Sequence, residues 1–147
     1  IETAGDIGKE SGDIRQFLLG NGKPDEIWIH SLANNMGGPP PFDIWFIYWK
    51  KGFAAEFYET EESSMYGFDG LIHACIDRGP ILFLWSDQIH TLSELAKKSG
   101  RDIGGTYLPV LPVDDAIGLS LDEFYTKFTD STEQPCFVSD PDLWPEP

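Results

Sequence analysis

Positive charge is scarce in this sequence: ten Lys and Arg stand against 25 Asp and Glu, a formal net charge of −15 at pH 7 over 147 residues. A sequence-independent grip on a phosphate backbone needs clustered Lys and Arg, so DNA and RNA are excluded as expected partners. Cysteine is nearly absent too. Cys75 and Cys136 lie 61 residues apart and form no CxxC pair, which excludes a zinc ribbon or a thioredoxin-like site. One long-range disulfide and two buried free thiols both stay open; a bridge would tie the acidic tail to the middle of the chain and by loop entropy be worth about 4 kcal/mol. Long apolar runs are missing as well. The longest are the six residues IWFIYW at 44–49 and the five residues ILFLW at 81–85, against the roughly 20 that a membrane-spanning helix needs. The chain begins at Ile1 with neither Met nor a basic and apolar leader, so a processed or trimmed chain is expected.

Recognised reaction chemistry is also thin. Gly22 and Lys23 have the look of a phosphate loop, but GxxxxGK followed by Ser or Thr is not there: Pro24 follows the lysine. The three histidines, His30, His73 and His90, fall on separate segments with no HExxH spacing, so a metal site would depend on the fold to gather them. His73 shares a strand face with Leu71 and Cys75, yet residues two apart on a strand sit about 7 Å apart and make no catalytic dyad by themselves. The paired acids Glu61 and Glu62, Asp114 and Asp115, Asp122 and Glu123, and Asp140 and Asp142 match no calcium loop. No GxSxG and no dinucleotide fingerprint occur. These absences point away from an enzyme and imply no cofactor or metal.

Aromatic residues are abundant, with five Trp, five Tyr and ten Phe, enough bulk for one sizeable core. Residues 1–12, Gly-rich and polar, read as a flexible segment. Asp13 then serves as N-cap for a short helix carrying Ile14, Phe17 and Leu18, with Gly20 as its left-handed stop. EIWIHSL at 26–32 alternates like a half-buried strand, Ile27 and Ile29 to one side, Trp28 and His30 to the other. DIWFIYW and FAAEFYE, joined by KKG with Gly52 last, read as a hairpin. LIHACI at 71–76 and ILFLWS at 81–86 read as a second hairpin turning at DRGP. TLSELAKKSG at 91–100 and SLDEFYTKF at 120–128 are helices opened by capping boxes, Thr91 with Glu94 and Ser120 with Glu123. Pro109 and Pro112 keep the stretch between those helices extended.

The expected fold is α+β: an antiparallel sheet of about four to five strands with two or three short helices packed on one face, spanning residues 13–147. Residues 129–147 form its acidic, Pro-rich tail. Residues 102–147 hold ten acids against Lys127 alone, −9 of the total charge, which suits solubility, a cation or a basic protein partner. The strand at 43–49 is bulky on both faces. Either it is central and covered on both sides, or one aromatic face awaits a partner.

The stretch DIRQFLLGNGKPDEIWI resembles the opening motif of small extracytoplasmic modules of the SmpA/OmlA (BamE-like) and β-lactamase-inhibitor-like type. The residues that carry the likeness are Leu18, Leu19, Gly20, Pro24 and Asp25, and YWKKGFAAEFY is similar to the hairpin that follows in related uncharacterised bacterial proteins. The likeness covers residues 13–59. It implies a binding or scaffolding module outside the cytoplasm, with no cofactor.

The function expected on these grounds is a non-enzymatic module that binds a protein or peptide through an aromatic sheet surface. Its candidate contact residues are Trp28, Trp45, Tyr48 and Trp49, with the acids Asp114 and Asp115 facing a basic partner. The alternative is an acidic, immunity-like protein that neutralises a basic toxin with its C-terminal third, and an unrecognised enzyme comes third.

Overall fold

The computed structural model describes residues 2–6, 14–31, 39, 41–59, 64–76, 78–85, 89–99, 110–130 and 136–144. Asp13, residues 32–38 and residues 101–109 lie outside them. The α+β class holds. Among the described residues one antiparallel sheet has six strands and a second has three.

The large sheet is built around β3 (Phe42–Tyr48), every residue of which is buried. Its partner β4 (Phe53–Tyr58) pairs in the expected hairpin, Asp43 opposite Tyr58 and Tyr48 opposite Phe53. Gly52 closes the turn at φ +75°, and a side chain there would meet the carbonyl oxygen of Trp85 at 2.8 Å. Glycine is required on both counts. On the other side β2 (Glu26–Ser31) pairs with β3, and beyond it β8 (Val110–Pro112) forms one edge. β7 (Arg78–Leu84) pairs with β4, and β1 (Glu2–Asp6) pairs with β7 to form the other edge. Residues 2–6, expected to be flexible, therefore belong to the sheet, because backbone pairing asks nothing of their polar, Gly-rich side chains.

The expected second hairpin does not form. β6 (Ile72–Cys75) joins β5 (Ser64–Tyr66) and β9 (Cys136–Ser139) in the small sheet, whereas β7 crosses to the large one. DRGP opens β7. Gly79, at φ +118°, lets β7 approach β4 so closely that a Cβ would lie 2.9 Å from the carbonyl oxygen of Glu56, beside a register shift between Glu56 and Tyr58.

Helices cover both faces of the large sheet, not one. On the first face lie Ile27, Ile29, Phe42, Ile44, Phe46, Tyr48, Ala55 and Phe57. α1 (Ile14–Asn21), α3 (Val113–Ile117) and α4 (Leu121–Asp130) pack there through Ile14, Leu18, Val113, Ala116, Phe124 and Phe128. The opposite face carries Trp45, Ile47, Ala54 and Phe83, and α2 (Leu92–Ser99) covers it with Leu95. The Ser120–Glu123 capping box forms in full and the Thr91–Glu94 box by half, the Glu94 carboxylate turning to the His90 N–H at 3.4 Å. The Ser120 hydroxyl accepts the Glu123 N–H and the Glu123 carboxylate accepts the Ser120 N–H, each at 3.1 Å; the Thr91 hydroxyl likewise accepts the Glu94 N–H at 3.1 Å. α1 runs through Gly20 and stops at Gly22, φ +80°. α3 begins directly after Pro112, whose ring satisfies a position that needs no N–H donor.

The inner side of the small sheet continues the first-face core through Ile72, Ala74 and Phe137. After β9 a single 3-10 turn (Pro141–Leu143) brings Trp144 back against Phe42, ring centroids 5.0 Å apart. The Trp144 indole N–H donates to the Ser139 hydroxyl at 2.8 Å, and that hydroxyl donates to the Ala116 carbonyl at 2.6 Å. This relay is buried. Ser139→Ala removes both bonds and leaves a donor and an acceptor stranded, so unfolding stability should fall by about 1–3 kcal/mol. A urea titration reads this as a lower midpoint with unchanged slope.

Candidate binding surface

β3 puts the predicted contact residues Trp45 and Tyr48 on opposite faces, and both faces are covered. Trp45 is 0% exposed, stacked on Phe83 at 5.1 Å, with its indole N–H donated to Asp43 at 3.0 Å. Tyr48 is 2% exposed, stacked on Phe53 at 4.6 Å, and its hydroxyl donates to the Gly22 carbonyl at 2.8 Å. Burial pushes its phenol well above the usual tyrosine range, with Tyr125 and Asp25 adding to the effect. These two residues are core, since a central strand in a two-faced sheet has no free side to offer.

Trp28 and Trp49 are half-buried and meet at one carboxylate. Glu26 accepts the Trp49 indole N–H at 2.6 Å and the Trp28 indole N–H at 3.4 Å through the same oxygen. Trp85 tilts against Trp49 at 5.7 Å, a neighbour that the apolar run at 81–85 concealed. Asp114 and Asp115 are exposed in the first turn of α3 on the other face of the sheet. The six predicted contact residues therefore do not form one surface.

Two histidines each find an aspartate. His30 lies 3.2 Å from Asp43 across the β2–β3 pair, with side chains only 5% and 1% exposed. Strand register extends that line to Tyr58 and Arg78. The second pair is open to solvent. His73 Nε2 lies 3.1 and 3.0 Å from the two carboxylate oxygens of Asp69. Asp69 also accepts the Leu71 N–H at 3.0 Å, which knits the turn between β5 and β6. Gly67 permits this arrangement: a Cβ there would lie 2.5 Å from His73 Nε2. The Leu71 N–H, followed by the His73 ring, holds the Asp69 carboxyl below the ordinary carboxylate range.

The same strand carries Cys75, and the structure joins it to Cys136. The two residues stand directly opposite in the β6–β9 pair, and strand alternation puts the disulfide on the side occupied by His73. Met65, His73 and Val138 form a row across all three strands on that outer side. Met65 is 62%, Val138 39% and, at the turn, Phe68 115% exposed. Tyr66, on the alternate side of β5 at the sheet edge, is 54% exposed. Apolar residues gathered in this way have no core to reach. The signal in the sequence was Phe68 itself, a large aromatic inside the turn YGFDG. Among the described residues no three His, Cys, Asp or Glu side chains gather as a metal site, and no helix is long and apolar enough to cross a membrane.

Compared with family models, curated proteins and solved structures, the chain matches none.

Two outcomes test this geometry. Replacing both Cys75 and Cys136 with Ser opens a long loop in the unfolded chain and should lower stability by about 4 kcal/mol, measured by urea unfolding. The Asp69 carboxyl should titrate below its ordinary value of about 4. Because the native pKa is the lowered one, its support of the turn is complete above the ordinary value and is lost as pH falls through the lowered one. An NMR titration following the Asp69 carboxyl and the His73 ring reads this directly, and Asp69→Asn should abolish the change.

Proposed function

We propose that this chain is a non-enzymatic module that binds a protein or peptide through the outer side of its small, disulfide-closed sheet. The observation that carries the reading is the exposure of Met65 and Val138 on that side and of Phe68 in the adjoining turn. Aromatic residues and Met are enriched where interfaces form, and clustered exposed apolar side chains mark such sites. The contact surface of this reading replaces the buried Trp45 and Tyr48. The Cys75–Cys136 bridge favours an oxidising compartment, in line with an extracytoplasmic module.

A second reading, an acidic protein that neutralises a basic toxin, draws on Asp114, Asp115, Asp122 and Glu123, all exposed in the first turns of α3 and α4. Salt separates the two. Binding through the acidic helices should weaken steeply between about 50 mM and about 500 mM salt, whereas apolar docking should change little.

Immobilised wild type and a Met65→Ser, Phe68→Ser double variant can be offered the same protein extract and the retained proteins compared by mass spectrometry. The expected result is a partner held by wild type and depleted roughly tenfold or more by the variant, with thermal unfolding unchanged because both side chains face solvent. Equal retention by both forms counts against this surface.

A further inference from the structure

Among the described residues the small sheet has an open edge, and its chemistry narrows what docks there. β5 is the outermost strand in the order β5-β6-β9. The Gly67 N–H donates to the Leu71 carbonyl at 2.8 Å, so Gly67, and two residues earlier Met65, direct their backbone groups toward β6. Ser64 and Tyr66 then direct theirs outward, since backbone polarity alternates along a strand. An unpaired strand edge is a template for another strand, and proteins blunt such edges with charged side chains or proline. The strand Ser-Met-Tyr is short, three residues, but carries neither charge nor proline. Met65 and Tyr66, 62% and 54% exposed, lie on opposite faces of this edge, so an added strand would meet an apolar side chain above and below.

Charge decides between occupants. A second copy would bring −15 against −15, and Asp69 adds a carboxylate at the end of the edge, in the turn that follows β5. We infer that β5 accepts an extended basic peptide of a partner protein by strand addition, the outward N–H and C=O groups of Ser64 and Tyr66 pairing with its backbone. This rests on the docking reading given above and specifies its mode: main-chain bonds hold the peptide, and its alternate side chains choose the register. Lys or Arg on such a peptide would face the Asp69 carboxylate, with apolar residues on Met65 or Tyr66.

The probe is a decapeptide of alternating Lys and Val, titrated into the full chain and followed by amide NMR shifts. Shifts centred on Ser64 and Tyr66 are expected, together with at least roughly tenfold weaker binding when all the peptide amides are N-methylated, which keeps the charge and removes the donors. Tyr66→Pro removes one outward N–H at an edge position where proline is tolerated, and should weaken the unmodified peptide similarly. No binding of the Lys-Val peptide, or equal binding of its N-methylated form, overturns strand addition. A chain that sediments as a dimer dissolved by Tyr66→Pro puts a second copy on the edge and also overturns it. Failure of the docking reading looks different: the Met65→Ser, Phe68→Ser variant then keeps its captured partner although the peptide still binds β5. The converse, a partner lost by that variant but kept by Tyr66→Pro, leaves side-chain docking standing and removes strand addition.

Discussion

A strand with bulky side chains on both faces cannot lie against water on either, and β3 imposes that condition on everything around it. Phe42, Ile44, Phe46 and Tyr48 need one covering layer, and Trp45 and Ile47 need another. The first layer comes from α1, α3, α4 and the inner side of the small sheet; α2 supplies part of the second. Flanking strands follow from the same need, because a strand buried on both faces must also satisfy its backbone on both edges. Polar groups on the second face survive by pairing internally: Asp43 accepts the Trp45 indole N–H and lies against His30. Breaking that pair from one side would leave an uncompensated group in a closed space, which costs more than the pair itself contributes.

The small sheet answers a different problem. Its inner side extends the core, and its outer side leaves Met65 and Val138 exposed. Three short strands are a weak unit alone. The disulfide closes β6 to β9, and the Ser139 relay fastens the turn beyond β9 to α3. The exposed side chains of this sheet are ones the core does not need, so residues such as Phe68 can change without opening the large sheet.

Much of the fold was legible where a local physical signal stands alone. Thr91 with Glu94, and Ser120 with Glu123, announce helices because the cap bonds are local. Gly52 announces a turn because a left-handed backbone is needed there. The pairing of β7 was not legible: ILFLW reads as a strand, but whether it joins LIHACI or FAAEFYE depends on the space that Gly79 makes against β4, a contact between distant residues. α3 hid behind Pro112, read as a breaker although proline suits the start of a helix. The burial of the candidate contact residues Trp45 and Tyr48 was not legible for a related reason. Trp45 looks the same in sequence whether it anchors a partner or stacks on Phe83, whereas Phe68, between Gly67 and Gly70 in a turn, had no core to enter. The two cysteines were legible as a pair and their bond was not.

The order of strands in the small sheet also sets a timetable. β5 and β6 emerge early in synthesis, but β9 is contributed by residues 136–139, close to the end of the described chain. The inner side of β6 must therefore wait for Phe137 and Trp144, and Cys75 for Cys136, until all six strands of the large sheet have been made. Domains tend to assemble as synthesis proceeds, so the small sheet acquires its final form after the large one. A nascent chain that has not reached Cys136 therefore carries the small sheet unfinished, and only one extended past β9 and oxidised presents it whole.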